Sequence, residues 1–194
     1  MTNRVGVLAL QGAVDKNLEM LRAMGVDCRR VRFSHELDEC IALIIPGGES
    51  TTMSLLIQKF DLYDKLREFA IEKPVMGICA GAILMAEQVD DARVTPLNIM
   101  PMSAARNKYG RQVSSFSADL HLQFDPDGLT YRAHFIRAPG IESNSEKIEV
   151  LAQYNGEAVM VRMGQHLALT FHPELTDDNR IHACWLKGFH PAFK

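Results

Sequence analysis

A short apolar run that leads straight into a glycine-flanked cysteine constrains this chain more than any other stretch. It reads Pro74-Val75-Met76-Gly77-Ile78-Cys79-Ala80-Gly81-Ala82. The run is a strand by its composition, and Ala82 to Gln88 is a helix-forming segment that follows at once. Strand, sharp turn and helix in succession lift a nucleophile clear of the backbone. Glycines two residues to either side let the chain bend and let neighbours approach closely. A helix that starts just past Cys79 also aims its unpaired N–H groups and positive end at the sulfur, which favours thiolate. On these residues alone a nucleophile and a buried structural thiol are equally good readings, because free cysteines commonly serve as small hydrophobes.

The flanking sequence sets the elbow in a fold. Val5 to Leu10 is a continuous apolar run, as expected of a strand buried on both faces of a parallel sheet. Val14 to Met24 follows as a helix with Leu18, Leu21 and Met24 on one side, closed by Gly25. Cys28 to Phe33 is a second strand, and Arg29, Arg30 and Arg32 place it near an edge. Ser34 begins a short helical stretch. Ala42 to Ile45 is a third buried strand that Pro46-Gly47-Gly48 ends sharply, and Thr51 and Thr52 open a helical segment. Leu62 to Ile71 is a further helix before the elbow strand. Strands that alternate with helices predict an α/β fold with a mainly parallel central sheet, in which ligand sites collect at the carboxyl ends of the strands. Three turns fall there: Gln11-Gly12, Pro46 to Ser50, and the elbow.

The second half is β-rich. Val113 to Leu120, Leu129 to Phe135, Val150 to Tyr154, Ala158 to Met163 and Leu167 to Phe171 read as strands, and Asn155-Gly156 is a hairpin signal. Asp178 to Phe189 closes the chain as a helix. No linker composition interrupts the 194 residues, so one domain over 1–194 is expected. A net charge of -3 argues against a nucleic-acid binder. No apolar run approaches the length of a membrane span, so no membrane association is expected. The four cysteines show no metal-ligand or disulfide spacing, which predicts no metal, no cofactor and a reducing cytoplasm.

A thiol nucleophile that acts on an amide needs a base, and the base needs an orienting partner. Among the seven histidines, His172 has the right setting. It follows the apolar strand Leu167 to Phe171, and Pro173 separates it from Glu174 by one rigid residue. The order Cys79, His172, Glu174 favours a catalytic triad. Residue chemistry thus reaches a Cys–His–Glu hydrolase or acyl transferase, and leaves the substrate open.

The elbow together with His172-Pro173-Glu174 resembles the class I (triad) glutamine amidotransferases. Val5 to Ala13, Pro46 to Thr52, Gly77 to Gly81, Gly110 to Phe116, Phe135 to Pro139 and His172 to Leu175 together narrow the resemblance to the glutaminase subunits of pyridoxal 5′-phosphate synthase. That resemblance implies a single-domain, flavodoxin-like three-layer sandwich. It also implies hydrolysis of L-glutamine to glutamate and ammonia, with the ammonia passed to a partner synthase subunit in a hetero-oligomer. By position, Cys79 is the nucleophile that forms a thioester, His172 the general acid/base and Glu174 its orienting carboxylate. Gly48 and Ala80 are the implied oxyanion-hole donors. Gly47, Gly48, Glu49, Arg106, Ile136 and Arg137 match glutamine-binding positions. Arg106 suits the α-carboxylate, and Glu49 the α-ammonium.

The chain departs from the family where Val14-Asp15-Lys16-Asn17 replaces a common Glu-His, and at Ile78, where Thr is frequent. An amidotransferase subunit for another acceptor, a peptidase and a non-catalytic regulatory subunit are the competing readings. The Gly47-Gly48 peptide can rotate at little steric cost. A donor misdirected in the free subunit and corrected on docking, with Gln11-Gly12 as relay, is therefore expected to keep the subunit idle until its partner binds.

Overall fold

The computed structural model describes residues 3–106, 108 and 115–193. The chain starts with β1 (Arg4–Leu8), α1 (Val14–Ala23), β2 (Cys28–Val31), α2 (Ser34–Leu37), β3 (Cys40–Ile45), α3 (Ser50–Lys59), α4 (Tyr63–Glu72), β4 (Val75–Ile78) and α5 (Ala80–Met85). Then come β5 (Ala86–Val89), β6 (Met100–Ala105), β7 (Ser115–His121), β8 (Thr130–Ile136), β9 (Gly140–Ser143), β10 (Glu149–Tyr154), β11 (Glu157–Met163) and β12 (His166–Leu169). A 3₁₀ turn (Pro173–Leu175), α6 (Arg180–Lys187) and a second 3₁₀ turn (Pro191–Phe193) close it.

The central sheet has the order β10-β11-β12-β4-β3-β1-β2. Its pairs from β12 to β2 are parallel, and β11 runs antiparallel to both its neighbours. Alternate residues of the inner strands point to opposite faces and build two cores. Val5, Val7, Ala42, Ile44, Met76 and Ile78 pack with Leu18 and Leu21 of α1, Trp185 and Leu186 of α6, and Tyr131 and Phe135 of β8. Leu8, Leu43, Ile45 and Val75 pack on the other face with residues of α3, α4 and α5. Each buried Val, Leu, Ile, Met or Phe among them stabilises by about 1.5–3 kcal/mol. The result is the expected three-layer α/β sandwich with a mainly parallel sheet. β2 is an edge strand, and its arginines find carboxylates: Arg29 pairs with Glu36 at 2.6 Å, and Arg30 with Asp15.

Several boundaries differ from expectation. The segment after the elbow is not one helix from Ala82 to Gln88: α5 begins at Ala80, ends at Met85, and gives way to β5. Ala86 turns extended at φ -64° and ψ 159°, and it pairs with Met100 in the small sheet β5-β6-β9. β1 stops at Leu8, two residues before the predicted end, and α6 is confined to Arg180–Lys187. β6 and β9 had no counterpart in the expected strands. Of the predicted strand Val113 to Leu120, Val113 and Ser114 lie outside the described residues, as does Gly110 to Ser114 of the family segment. The Asn155-Gly156 hairpin joins β10 and β11 with φ of 51° and 79°, the left-handed pair such a two-residue turn requires.

One buried group makes stability depend on pH. His182 in α6 is fully buried, and neither ring nitrogen has a hydrogen-bond partner among the described residues. Burial lowers its pKa to about 4. The folded state therefore binds fewer protons than the unfolded state between the unfolded value near 6.5 and 4. Its contribution is intact above about pH 6.5 and falls away by about 3 kcal/mol as pH drops toward 4. His182→Leu should flatten that acid slope in urea titrations run between pH 7 and 4.5. It should also raise stability at neutral pH by about 1–3 kcal/mol. His166, whose pKa burial also lowers, leaves a residual slope of the same sign.

Candidate active site

Three strand ends meet at one cavity of about 310 Å³. β4 delivers Cys79 into the turn, where it caps α5 with φ 52° and ψ -102°, a conformation few side-chain-bearing residues adopt. Such backbone costs about 1–3 kcal/mol and persists only where its surroundings enforce it. Here they do: the Cys79 N–H donates to Leu169 O at 2.8 Å, tying the turn to β12. The glycine spacing is steric. A Cβ on Gly81 would lie 2.0 Å from the Ile45 carbonyl, and one on Gly77 2.7 Å from Gly81 itself. Only glycines let α5 press onto the ends of β3 and β4.

β12 lies beside β4, with Leu169 opposite Ile78, so the residues just past β12 arrive next to the elbow. His172 is there, 7% exposed, with its N–H donating to His134 O of β8 at 2.9 Å. The Pro173–Leu175 turn swings Glu174 back under the ring. Glu174 Oε1 stands 2.7 Å from His172 Nδ1, which leaves Nε2 as the nitrogen available to Cys79. Burial lowers the His172 pKa, but hydrogen bonds and charge from Cys79 and Glu174 outweigh it and hold the pKa at about 10. The imidazolium is thus the favoured form at neutral pH. The Cys79 thiol also points at Ile136 O, 3.8 Å away.

The opposite wall is the turn after β3. A Cβ on Gly47 would lie 2.4 Å from His172 Cε1, so only glycine allows the turn and the imidazole to sit together. The Gly47 carbonyl accepts from Ala13 N at 2.9 Å, and Glu49 N donates to Gln11 Oε1 at 2.8 Å. The Gln11–Ala13 turn is therefore wired directly to the Gly47–Glu49 turn, the connection a relay needs. With its carbonyl held by Ala13, the planar Gly47–Gly48 peptide presents the Gly48 N–H from its opposite edge. Gly48, Ala80 and Ile136 line the cavity too, as do Arg106 and Arg137. Ala80 is the first residue of α5, where the helix supplies no acceptor for its N–H.

Glu49 lines the same cavity. Its carboxylate caps α3, accepting from the N–H groups and hydroxyls of Thr51 and Thr52, and it also accepts from Arg106 Nη2 at 2.8 Å. Burial opposes ionisation, but those Thr51 and Thr52 donors prevail and bring its pKa to about 2. A carboxylate offers roughly four lone-pair sites, so these donors hold it firmly at the rim of the cavity. Arg106 is likewise engaged, by Glu49 and by Asp91. Arg137, held at φ 43°, is exposed and has no carboxylate partner among the described residues. Sequence reasoning missed Asp91, along with its neighbours Asp90 and Arg93, since they sit in a stretch without motif or periodicity.

Comparison with known proteins finds relatives over nearly the whole chain. The profile of the SNO glutamine amidotransferase family matches residues 7–190. The chain is 43% identical over 185 residues to the pyridoxal 5′-phosphate synthase subunit PdxT of Shouchella clausii, covering 95% of this chain and 94% of that protein. It is 44% identical over 186 residues to the protein of the same name from Kosmotoga olearia, covering 95% and 96% respectively. A crystal structure described as a glutamine amidotransferase superposes with a TM-score of 0.88 at 39% identity, over 95% of this chain and 97% of the other. The PurLQS structure from Thermotoga maritima, at 16% identity and a TM-score of 0.71 over 93% of this chain and 92% of that one, shares the fold.

Proposed function

The chain belongs to the SNO glutamine amidotransferase family, and from that premise we propose that Cys79, His172 and Glu174 are the triad that takes ammonia from L-glutamine. The activity is hydrolysis of glutamine to glutamate and ammonia in the service of pyridoxal 5′-phosphate synthesis. One observation carries the assignment of residues: a buried His172–Glu174 pair at 2.7 Å abuts a cysteine held on a strained turn.

The chemistry follows from those positions. The Cys79 sulfur attacks the side-chain amide carbon of glutamine, and negative charge develops on the amide oxygen. The N–H groups of Ala80 and Gly48 are the donors for that oxyanion; one such donor typically contributes about 10²–10³ in rate. His172, already protonated, delivers its proton to the leaving nitrogen, and ammonia departs as the γ-glutamyl thioester forms. Water then attacks the thioester while His172 takes back a proton, and glutamate leaves. Gly47, Gly48, Ile136 and Arg137 shape the wall against the substrate. Arg106 meets its α-carboxylate, and Glu49 acts by holding Arg106.

The ammonia goes to a synthase subunit of the PdxS type, docked as a hetero-oligomer over the carboxyl edge of the sheet. All four cysteines are free, in keeping with a cytoplasmic setting. Among the described residues no helix is long and apolar enough to cross a membrane. The test is glutamate release from free glutamine by the full chain, with and without the synthase subunit. Glutamate should appear, faster in the complex, and no peptide should be cleaved. Peptide cleavage, or no glutamate under either condition, contradicts the proposal. Equal rates with and without the synthase subunit contradict the docking-controlled turn.

A further inference from the structure

Arg106 is anchored from three sides before any substrate arrives. Its backbone N–H donates to Asp90 Oδ1 at 2.9 Å, Nη2 donates to Glu49 Oε1 at 2.8 Å, and Nη1 donates to Asp91 Oδ2. The Arg106 and Asp91 side chains are 19% and 15% exposed, so solvent screens their contact less than it does an ordinary surface pair. Asp91 lies behind Arg106 and does not line the cavity. Its own orientation is fixed from outside. Arg93 donates its backbone N–H and Nε to Oδ1 at 3.0 and 2.9 Å, and Nη2 to Oδ2 at 2.6 Å. These bonds, from Arg93 first and then Arg106, hold the Asp91 carboxyl well below the usual carboxylate range.

We propose that Asp91 is a positioning residue for substrate recognition: with Glu49 it fixes the plane of the Arg106 guanidinium, so that the unused N–H groups form a fork for the α-carboxylate of glutamine. The proposal rests on the assignment of Arg106 to glutamine binding. A guanidinium has five N–H donors. Two are committed to Glu49 and Asp91, and the remainder suffice for a bidentate grip. Ordering a long side chain in advance removes its immobilisation cost from the binding step. The α-carboxylate lies at the opposite end of glutamine from the reacting amide. Loss of Asp91 should therefore weaken binding and leave the chemical step nearly untouched.

The experiment is steady-state glutaminase kinetics on the full chain in complex with the synthase subunit, for Asp91→Asn, Arg106→Ala and the double variant. Asp91→Asn should raise KM for glutamine about tenfold with kcat within about twofold, and should add nothing in the Arg106→Ala background. Asp91→Ala is run in parallel in case Asp91→Asn does not fold, and should show the same split. Unchanged KM in the Asp91 variants, with a raised KM in Arg106→Ala, overturns the positioning role. So do effects that add in the double variant. Unchanged KM in Arg106→Ala itself instead overturns the assignment of Arg106 on which the proposal rests.

Discussion

Replacing Cys79 with Ala should lower glutamine-dependent ammonia release by about 10⁴-fold or more, the scale seen when a nucleophile is removed from a triad that acts as a unit. The fold should survive. Ala meets the same strain at φ 52° that Cys does, the Cys79 N–H bond to Leu169 is a backbone bond, and the thiol's contact with Ile136 O is long, at 3.8 Å. Thermal unfolding should therefore remain cooperative, with a loss confined to the missing Cys79–His172 interaction. In complex with the synthase subunit, the variant should still support pyridoxal 5′-phosphate synthesis from added ammonium salts while failing with glutamine. Continued glutamine-dependent turnover would remove Cys79 from the role of nucleophile.

Glu174→Gln should have the next largest effect, about 10²–10⁴ in kcat, with a diagnostic change in pH dependence. In the parent, Glu174 and Cys79 hold the His172 pKa at about 10 against the burial that lowers it. The imidazolium that protonates the leaving nitrogen is then present across neutral pH, and activity should decline only as pH rises toward 10. Removing the Glu174 charge removes an upward influence, so the alkaline limb of kcat/KM should move to lower pH. Stability carries the same sign. A raised folded-state pKa contributes fully below the unfolded value near 6.5 and is lost as pH climbs through about 10, and this contribution should shrink in the variant. An alkaline limb that stays in place would show that Glu174 does not govern the imidazole.

The proposed triad was readable in the sequence because each half is local. Gly77 to Gly81 is a strand, turn and helix within one short span, and His172-Pro173-Glu174 follows an apolar strand directly. What joined them was a rule of topology, that sites collect where parallel strands end; β12 beside β4 is the particular pairing that fulfils it. Other features left no local trace. Ala82 to Gln88 has no helix breaker, so only the pairing of β5 with β6 reveals where α5 stops. β6 contains Pro101 and small residues with weak strand preference, although Met100, Met102 and Ala104 alternate inward as a half-buried strand requires. The charge of Glu49 was visible in the sequence, whereas its five donors appear only in the fold. Asp91 was invisible because its role depends on Arg106, far along the chain and brought near only by the fold.

The most direct measurement of the central claim is the mass of the covalent intermediate. The full chain in complex with the synthase subunit is mixed with glutamine, quenched in acid within the first turnover, and digested for peptide mass analysis. The peptide that carries Cys79 should gain the mass of glutamine less ammonia, and the adduct should be absent from Cys79→Ala. The same adduct on Cys28, Cys40 or Cys184, or turnover with no adduct on any cysteine, would contradict the account.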